Sequence, residues 1–379
     1  MNNEIGDNKR ILAINFGGIG DEILFLPTLK TIKSVAPSSS ITLLLEPRSR
    51  SVEQLTTLVD DVLTFDIKKR PLLVGDLLDL LMLIKEGGYD CVVSSGGSPM
   101  VAGLLFLSGI RERIGYGTSA LSRLLLTCPV NLNKNQYAAD MYHDLAIGFA
   151  RRLNQGGSRT GSGGGQRSIP EVNLHQESVE RMTELLKNLG ITGSGRRTVV
   201  LHPGSSRLAT KKGIYKTWPT DRWLELLSLI GEFNKKSSND TDRILVVLAG
   251  GPDDSEIIEE IQTGYSTKKR QQDKESPDLV SVFGKTKNIA DLAALIHLCD
   301  LLVCVDSAPM HVGVGLNKRL LALFGPTNPA LLLPAEPTFR AIWDKRDGNR
   351  HMFDRLGVVI PAREVFDAML SMLNSTPWE

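Results

Sequence analysis

At 379 residues the chain is long enough for two domains of ordinary size, and its 41% apolar content can supply a core for each. A formal net charge of +1 gives no global attraction to nucleic acid, and no uninterrupted apolar run reaches membrane-spanning length. The start, Met1 to Arg10, is polar with both charge signs and does not read as a signal peptide.

In chain order, Ile11–Phe16 reads as a strand and Glu22–Val35 as a helix with one apolar face. Between them lies Gly17-Gly18-Ile19-Gly20-Asp21, whose glycines suit a tight turn with close backbone approach to a ligand; Gly18 and Gly20 are candidate phosphate-side residues. The spacing is not the dinucleotide fingerprint, because Ile23 stands where its third glycine would be, and no P-loop lysine follows. Asp21 has two roles open to it: complementing the helix dipole, or accepting a proton from an alcohol at a cleft. Ile41–Leu45 and Cys91–Ser94 are further strands, and Leu72–Ile84 and Met100–Ser108 are richly apolar helices expected to pack on the sheet. Lys68-Lys69-Arg70 and Lys268-Lys269-Arg270 read as solvated loops. Arg111, Arg113 and Arg123, near Leu104–Leu107 and Leu124–Leu126, are either surface arginines over buried elements or a basic and apolar face toward lipid.

Gln155–Arg167 is a flexible Gly/Ser segment marking a domain connection. The expected division is 1–170, 171–355 and a C-terminal helical stretch 356–379. A helix at His175–Leu189 precedes a second series with strands at Thr198–His202, Ile244–Ala249, Leu279–Phe283, Leu301–Val305 and Leu320–Phe324. Helices at Asp221–Glu232, Asp254–Thr263, Ile289–His297 and Ala308–Gly315 alternate with them. Lys235–Asp242 and Ser266–Ser276 read as polar surface loops, and Pro361–Leu373 as a final amphipathic helix. Alternation of this kind signals βαβ units: two doubly wound, Rossmann-like α/β domains, expected to face one another across a cleft.

The first strand of the second series runs into His202-Pro203-Gly204-Ser205-Ser206, with Lys216-Thr217-Trp218-Pro219 shortly after. A lysine beside a Gly/Ser loop suits a phosphate; Lys216 competes here with Lys211 and Lys212. Trp218 reads as a packing anchor, and His202 as ordering its turn. Further on, Asp306 and Ser307 can cap a helix that tolerates Pro309 in its first turn, leaving backbone donors of Ser307, Ala308, Met310 and His311 for an anion. His311 either donates to a phosphate or packs beneath the loop. Thr327 follows in Gly325-Pro326-Thr327. A phosphate-bearing ligand is expected, since open α/β sheets bind ligands beyond the carboxyl ends of their strands. The six histidines and four cysteines (Cys91, Cys128, Cys299, Cys304) form no recognisable metal-ligand set, so neither metal nor cofactor is expected. The cysteines read as small buried thiols in a reducing, cytoplasmic setting.

Four elements coincide in order: GGIGD, HPGSS…KTWP, VDSAPMH and FGPTNP. Together with Ala249-Gly250-Gly251-Pro252 and Phe283-Gly284-Lys285-Thr286 they resemble glycosyltransferase family 9, the lipopolysaccharide heptosyltransferases, from about Arg10 to Pro329. The resemblance implies a GT-B fold, with a C-terminal helix returning to the first domain. It further implies inverting, metal-independent transfer of a sugar, ADP-heptose being the donor in the best-known members, to a saccharide acceptor of a cell-surface glycolipid. Asp21 matches the base, Lys216 the lysine on donor phosphate, and Asp306 to His311 with Thr327 the segment around donor ribose and diphosphate. Transient contact with the inner membrane face is implied by lipid-linked acceptors. Three positions depart from the pattern: Ala308 replaces a usual glycine, Asn15 a common arginine and Asn328 a frequent aspartate. The alternatives are a nucleotide-sugar 2-epimerase of the same architecture and a catalytically silent nucleotide- or carbohydrate-binding protein.

Overall fold

The computed structural model describes residues 8–154, 168–191, 195–271, 279–343 and 360–375. The Gly/Ser stretch Gln155–Arg167 lies outside them. The chain divides into two compact units at Asn173/Leu174.

The first unit is a six-stranded parallel sheet of β1 (Arg10–Ile14), β2 (Ser40–Leu45), β3 (Asp61–Thr64), β4 (Cys91–Ser94), β5 (Glu112–Tyr116) and β6 (Cys128–Val130), in spatial order β3-β2-β1-β4-β5-β6. Its helices are α1 (Ile19–Val35), α2 (Val74–Glu86), α3 (Pro99–Leu107), α4 (Ala120–Leu125) and α5 (Ala138–Asn154). Strands β1 and β4 are buried nearly end to end, as expected where helices cover both faces. Leu12, Ile14, Leu44, Val92, Leu80, Ile84, Ala102 and Leu105 form one core cluster.

The second unit opens with α6 (Gln176–Asn188). Its sheet comprises β7 (Arg197–His202), β8 (Ile244–Leu248), β9 (Leu279–Ser281), β10 (Leu301–Val305), β11 (Leu320–Phe324) and β12 (Phe339–Trp343), in order β12-β11-β10-β7-β8-β9, again all parallel. Counted from its own first strand, this repeats the order of the first unit. Both units thus have the doubly wound topology, in which the chain reverses direction beside the first strand. The helices are α7 (Arg207–Lys211), α8 (Thr220–Lys236), α9 (Ser255–Gln271), α10 (Ile289–Leu298), α11 (Ala308–Gly315), α12 (Pro329–Leu332) and α13 (Ala362–Asn374).

Trp218 anchors packing, as expected: it is fully buried, stacks edge-on against Trp223 at 4.9 Å between centroids, and donates its indole N–H to the Ile360 carbonyl at 3.1 Å. The C-terminal helix places Val365, Phe366 and Met369 in the same core cluster as Trp223, Leu226 and Ile230 of α8. Its apolar face thus contributes to the core of the second unit. Arg197 fixes its end through Asn374 at 2.5 Å.

Several elements differ from their sequence reading. α1 starts at Ile19, three residues early, because Asp21 is already inside its first turn. Ser266–Gln271, expected as a loop, continues α9. Strands β3, β5, β6 and β12 and helices α4 and α5 had no sequence assignment. Strand β5 hides behind its charged start (Glu112, Arg113), although Ile114 to Tyr116 are buried. Cys91, Cys299 and Cys304 are buried thiols, as expected; burial pushes the Cys299 thiol up to about 12.

Candidate active site

In the first unit, the reversal point falls between β1 and β4, where Ser95 donates its amide to the Ile14 carbonyl at 3.0 Å. The turn after β1 is fixed from several sides. The Gly18 amide donates to Asp21 Oδ2 at 2.8 Å, the capping geometry in which an acidic residue in the first helical turn reaches back to the backbone. The Gly17 amide donates to Glu22 Oε1 at 3.1 Å, and the Gly17 carbonyl accepts from Ser49 Oγ at 3.0 Å. Gly17 has no side chain for a specific reason: a Cβ there would lie 2.2 Å from that of Asp21.

Two carboxylates follow one another here and are treated differently. Asp21 is half-buried, and its Oδ1 accepts from the Tyr142 hydroxyl at 3.3 Å. Glu22 is 1% exposed, with Oε2 accepting from Asn15 Nδ2 at 3.2 Å; burial, and then the neighbouring Asp21, hold its proton affinity well above the usual carboxylate range. Asn15 in turn accepts from Ser95 Oγ at 2.5 Å. Asp21 thus keeps lone pairs beyond the one hydrogen bond on each oxygen, enough to accept a proton from a substrate hydroxyl. Tyr142, Glu22 and Ser95 were missed from sequence, and Asn15 was noted there only as standing in place of a common arginine. The i, i+3, i+4 spacing of Tyr142, Leu145, Ala146 and Phe149 was the available signal for Tyr142's helix. Lys68 and Lys69, read as solvated, are paired with Glu46 at 3.1 Å and Asp76 at 2.9 Å.

In the second unit, β10 lies beside β7, with His202 opposite Cys304. Two residues beyond that register, Asp306 Oδ2 holds Lys216 Nζ at 2.7 Å and accepts from Thr327 Oγ1 at 2.6 Å. Lys216 and Thr327, from two separate loops, therefore meet on one buried carboxylate oxygen of a third. Of the three candidate lysines, Lys216 is brought to Asp306, whereas Lys211 and Lys212 are exposed.

The expected capping of α11 by Asp306 or Ser307 does not occur. Asp306 takes charge-assisted partners instead, and the Ser307 hydroxyl donates to the Val305 carbonyl at 3.3 Å. No side-chain cap covers the start of α11. The Met310 amide, expected as an anion donor, is used by the Ser307 carbonyl at 3.0 Å, and both Met310 and His311 are buried. Ser206 caps α7 through the Leu208 amide at 3.2 Å, and Asn328 caps α12 through the Ala330 amide at 3.0 Å. In the first unit, the Gly18 amide is taken by Asp21, while Gly20 lies inside the first turn of α1.

His202 does order its turn, with a partner that sequence reasoning missed. Its Nε2 lies 3.7 Å from Asp254 Oδ2, and a Cβ on Gly204 would fall 1.9 Å from Asp254 Oδ1. Burial lowers the proton affinity of His202 and raises that of Asp254, so both shifts favour a neutral pair. Asp254 also accepts from the Gly251 amide at 2.8 Å, repeating the Gly18–Asp21 contact after another Gly-Gly pair.

Residues 78–358 match the family model for glycosyltransferase family 9 (heptosyltransferase). The chain belongs to this family. It is similar to the lipopolysaccharide heptosyltransferase 3 of Escherichia coli, at 23% identity over 94% of the chain and 97% of that protein. Among solved structures, it is similar to a glycosyl transferase family 9 protein of Veillonella parvula (TM-score 0.70, 24% identity, 96% and 97% covered). It is also similar to the E. coli ADP-heptose lps heptosyltransferase II (TM-score 0.70, 21% identity, 96% and 98% covered).

This family 9 member is a glycosyltransferase of the lipopolysaccharide heptosyltransferase kind, with the GT-B-like pair of α/β units. Its sequence motifs map onto two clusters, the Asp21 turn after β1 and the Lys216–Asp306–Thr327 contact after β10. Among the described residues, no three His, Cys, Asp or Glu side chains gather as a metal site.

Proposed function

We propose that the protein transfers a heptose from a nucleotide diphosphate donor to a saccharide acceptor of a cell-surface glycolipid, with inversion and without a metal. On this reading the donor docks on the second unit. Lys216 binds its diphosphate, and the backbone donors of Ser205, Ser206, Ser307 and Ala308 with Thr327 surround it. Asp306 positions the lysine and the threonine. Asp21 removes the acceptor hydroxyl's proton as that oxygen attacks the anomeric carbon from the face opposite the departing diphosphate. Charge grows on the leaving group in the transition state, so fixed donors there act more strongly on it than on the ground state.

The observation that supports this reading best is the contrast between the two neighbouring carboxylates. Glu22 is sealed and its proton affinity raised, whereas Asp21 is hydrogen-bonded, half-exposed and oriented by the Gly18 amide and Tyr142. A general base typically contributes about 100- to 10,000-fold. Asp21→Asn should lose that factor in transfer from ADP-heptose while its melting temperature still rises with ADP. Near-normal transfer by that variant would remove Asp21 from the mechanism, and a thermal shift with other nucleoside diphosphates alone would reassign the donor.

A further inference from the structure

Among the described residues, the large apolar side chains that stand out in solvent all lie in the first unit: Leu73, Val74, Leu78 and Met82 at α2, and Met100, Phe106, Leu107, Leu121 and Leu124 on α3 and α4. Helices α3 and α4 pack on each other, and Leu107 and Leu124 are 61% and 79% exposed. Helix α3 contains no charged residue. Between Ser98 and Thr127 the charges are Arg111, Arg113 and Arg123 against a single Glu112, and that glutamate is taken by Arg152 at 2.8 Å. Arg113 lies 5.5 Å over the Phe106 ring, with its guanidinium donating to the carbonyls of Ile110 and Leu125. Arg123 donates to the Gly117 carbonyl at 2.9 Å, at the foot of α4.

We propose that α3 and α4 form a docking face for an anionic lipid surface, with Met100, Phe106, Leu107, Leu121 and Leu124 entering the headgroup boundary and Arg111 and Arg123 meeting lipid phosphate. Exposed apolar clusters of this kind mark interaction surfaces, and interfacial binding grows with buried apolar area plus attraction to anionic lipid. A second copy of the chain fits less well, because a two-fold contact presents the same patch twice and sets arginine against arginine. Both helices start from the carboxyl edge of the sheet that carries Asp21. Ser95, just before α3, bonds to Asn15, and Thr118, before α4, donates to the Gly97 carbonyl at 2.6 Å. A bilayer on this face would hold a lipid-anchored acceptor beside the edge where the proposed base sits. That link rests on the function proposed above; the docking face does not.

The test is co-sedimentation of the full chain with phosphatidylcholine vesicles, with and without about 30% phosphatidylglycerol, an anionic fraction that attracts surface basic residues. The wild type should sediment with the anionic vesicles and be released by high salt. Each arginine near such a surface is worth roughly fivefold in partitioning, so Arg111→Glu with Arg123→Glu should lower binding at least about 25-fold. Leu107→Glu with Leu124→Glu should abolish it. Unchanged melting temperature and unchanged ADP-induced stabilisation would show that these variants fold. Asp21→Asn should bind vesicles as the wild type does, so loss of the catalytic reading and loss of the docking face give different results. A wild type that ignores anionic vesicles, variants that still bind, or a dimer dissolved by Leu124→Glu without any vesicle binding would each overturn the proposal.

Discussion

Gly17 and Gly18 are adjacent in one turn, yet an added methyl group should have opposite consequences at the two positions. At Gly17 the new Cβ would lie 2.2 Å from Asp21 Cβ and 2.8 Å from its Cγ, where real contacts essentially never fall below 3.0 Å. Asp21 must retreat by most of an ångström, and because it sits in the first turn of α1, the helix start moves with it. A misplacement of about 1 Å can cost on the order of 100-fold in rate. Overpacking adds roughly 1–3 kcal/mol of destabilisation, offset by about 0.4–1 kcal/mol from the stiffer unfolded chain. At Gly18 the nearest atom to the new Cβ is Asp21 Oδ2 at 3.8 Å, an ordinary contact, and φ is −82°. Losing glycine at a helix cap there roughly cancels the unfolded-state gain. Gly17→Ala should therefore lose about 100-fold in transfer from ADP-heptose and melt earlier, while Gly18→Ala stays near the wild type in both. Steady-state ADP release and thermal denaturation read the two effects. Equal activity of the two variants would refute the claim that the position of Asp21 controls turnover.

Lys216→Ala should weaken ADP binding roughly 10- to 150-fold, the range for one hydrogen bond to a charged group, as measured by calorimetry. It should also destabilise the second unit, because Asp306 would remain buried with Thr327 alone; adding Asp306→Asn should restore most of that loss in melting temperature. An additive double variant would show that the two side chains act independently. Glu22 has a folded-state proton affinity above its ordinary 4.5, so its contribution is complete below 4.5 and is lost as pH rises through the folded value. Glu22→Gln, which cannot accept from both Gly17 and Asn15, should start less stable in acid and gain on the wild type as pH rises from about 4.5 to 8. A constant gap in melting temperature across that range would mean that Glu22 carries no proton-linked cost.

Much of the scaffold was legible because its strands are short apolar runs ended abruptly by turn residues, glycines after Ile11–Phe16 and Asp306-Ser307 after Leu301–Val305, and parallel sheets bury such runs on both faces. The GT-B-like fold itself came from ordered motifs, and the family match supports it. Edge strands were hidden for the opposite reason: Asp61–Thr64 is only partly buried and Glu112 opens β5 with a charge. At the candidate site, the Lys216–Asp306–Thr327 contact joins residues far apart in the chain, and spacing could nominate each of them without revealing that they share one carboxylate oxygen. Capping was misread at Asp306 because local sequence favours a helix cap while a distant lysine offers a stronger partner. Tyr142 and Asp254 were invisible because their partners, Asp21 and His202, approach only after the sheets assemble.

The Gly-Gly-x-x-Asp turn occurs once in each unit, as Gly17 to Asp21 and as Gly250 to Asp254, and in both the carboxylate grips the second glycine's amide at 2.8 Å. A shared backbone device has thus been given two chemistries by what stands in front of it. Behind Gly250 the acid is walled in by a buried imidazole and serves as mortar for a loop; behind Gly17 it is left partly open, which is the room the proposed base would need.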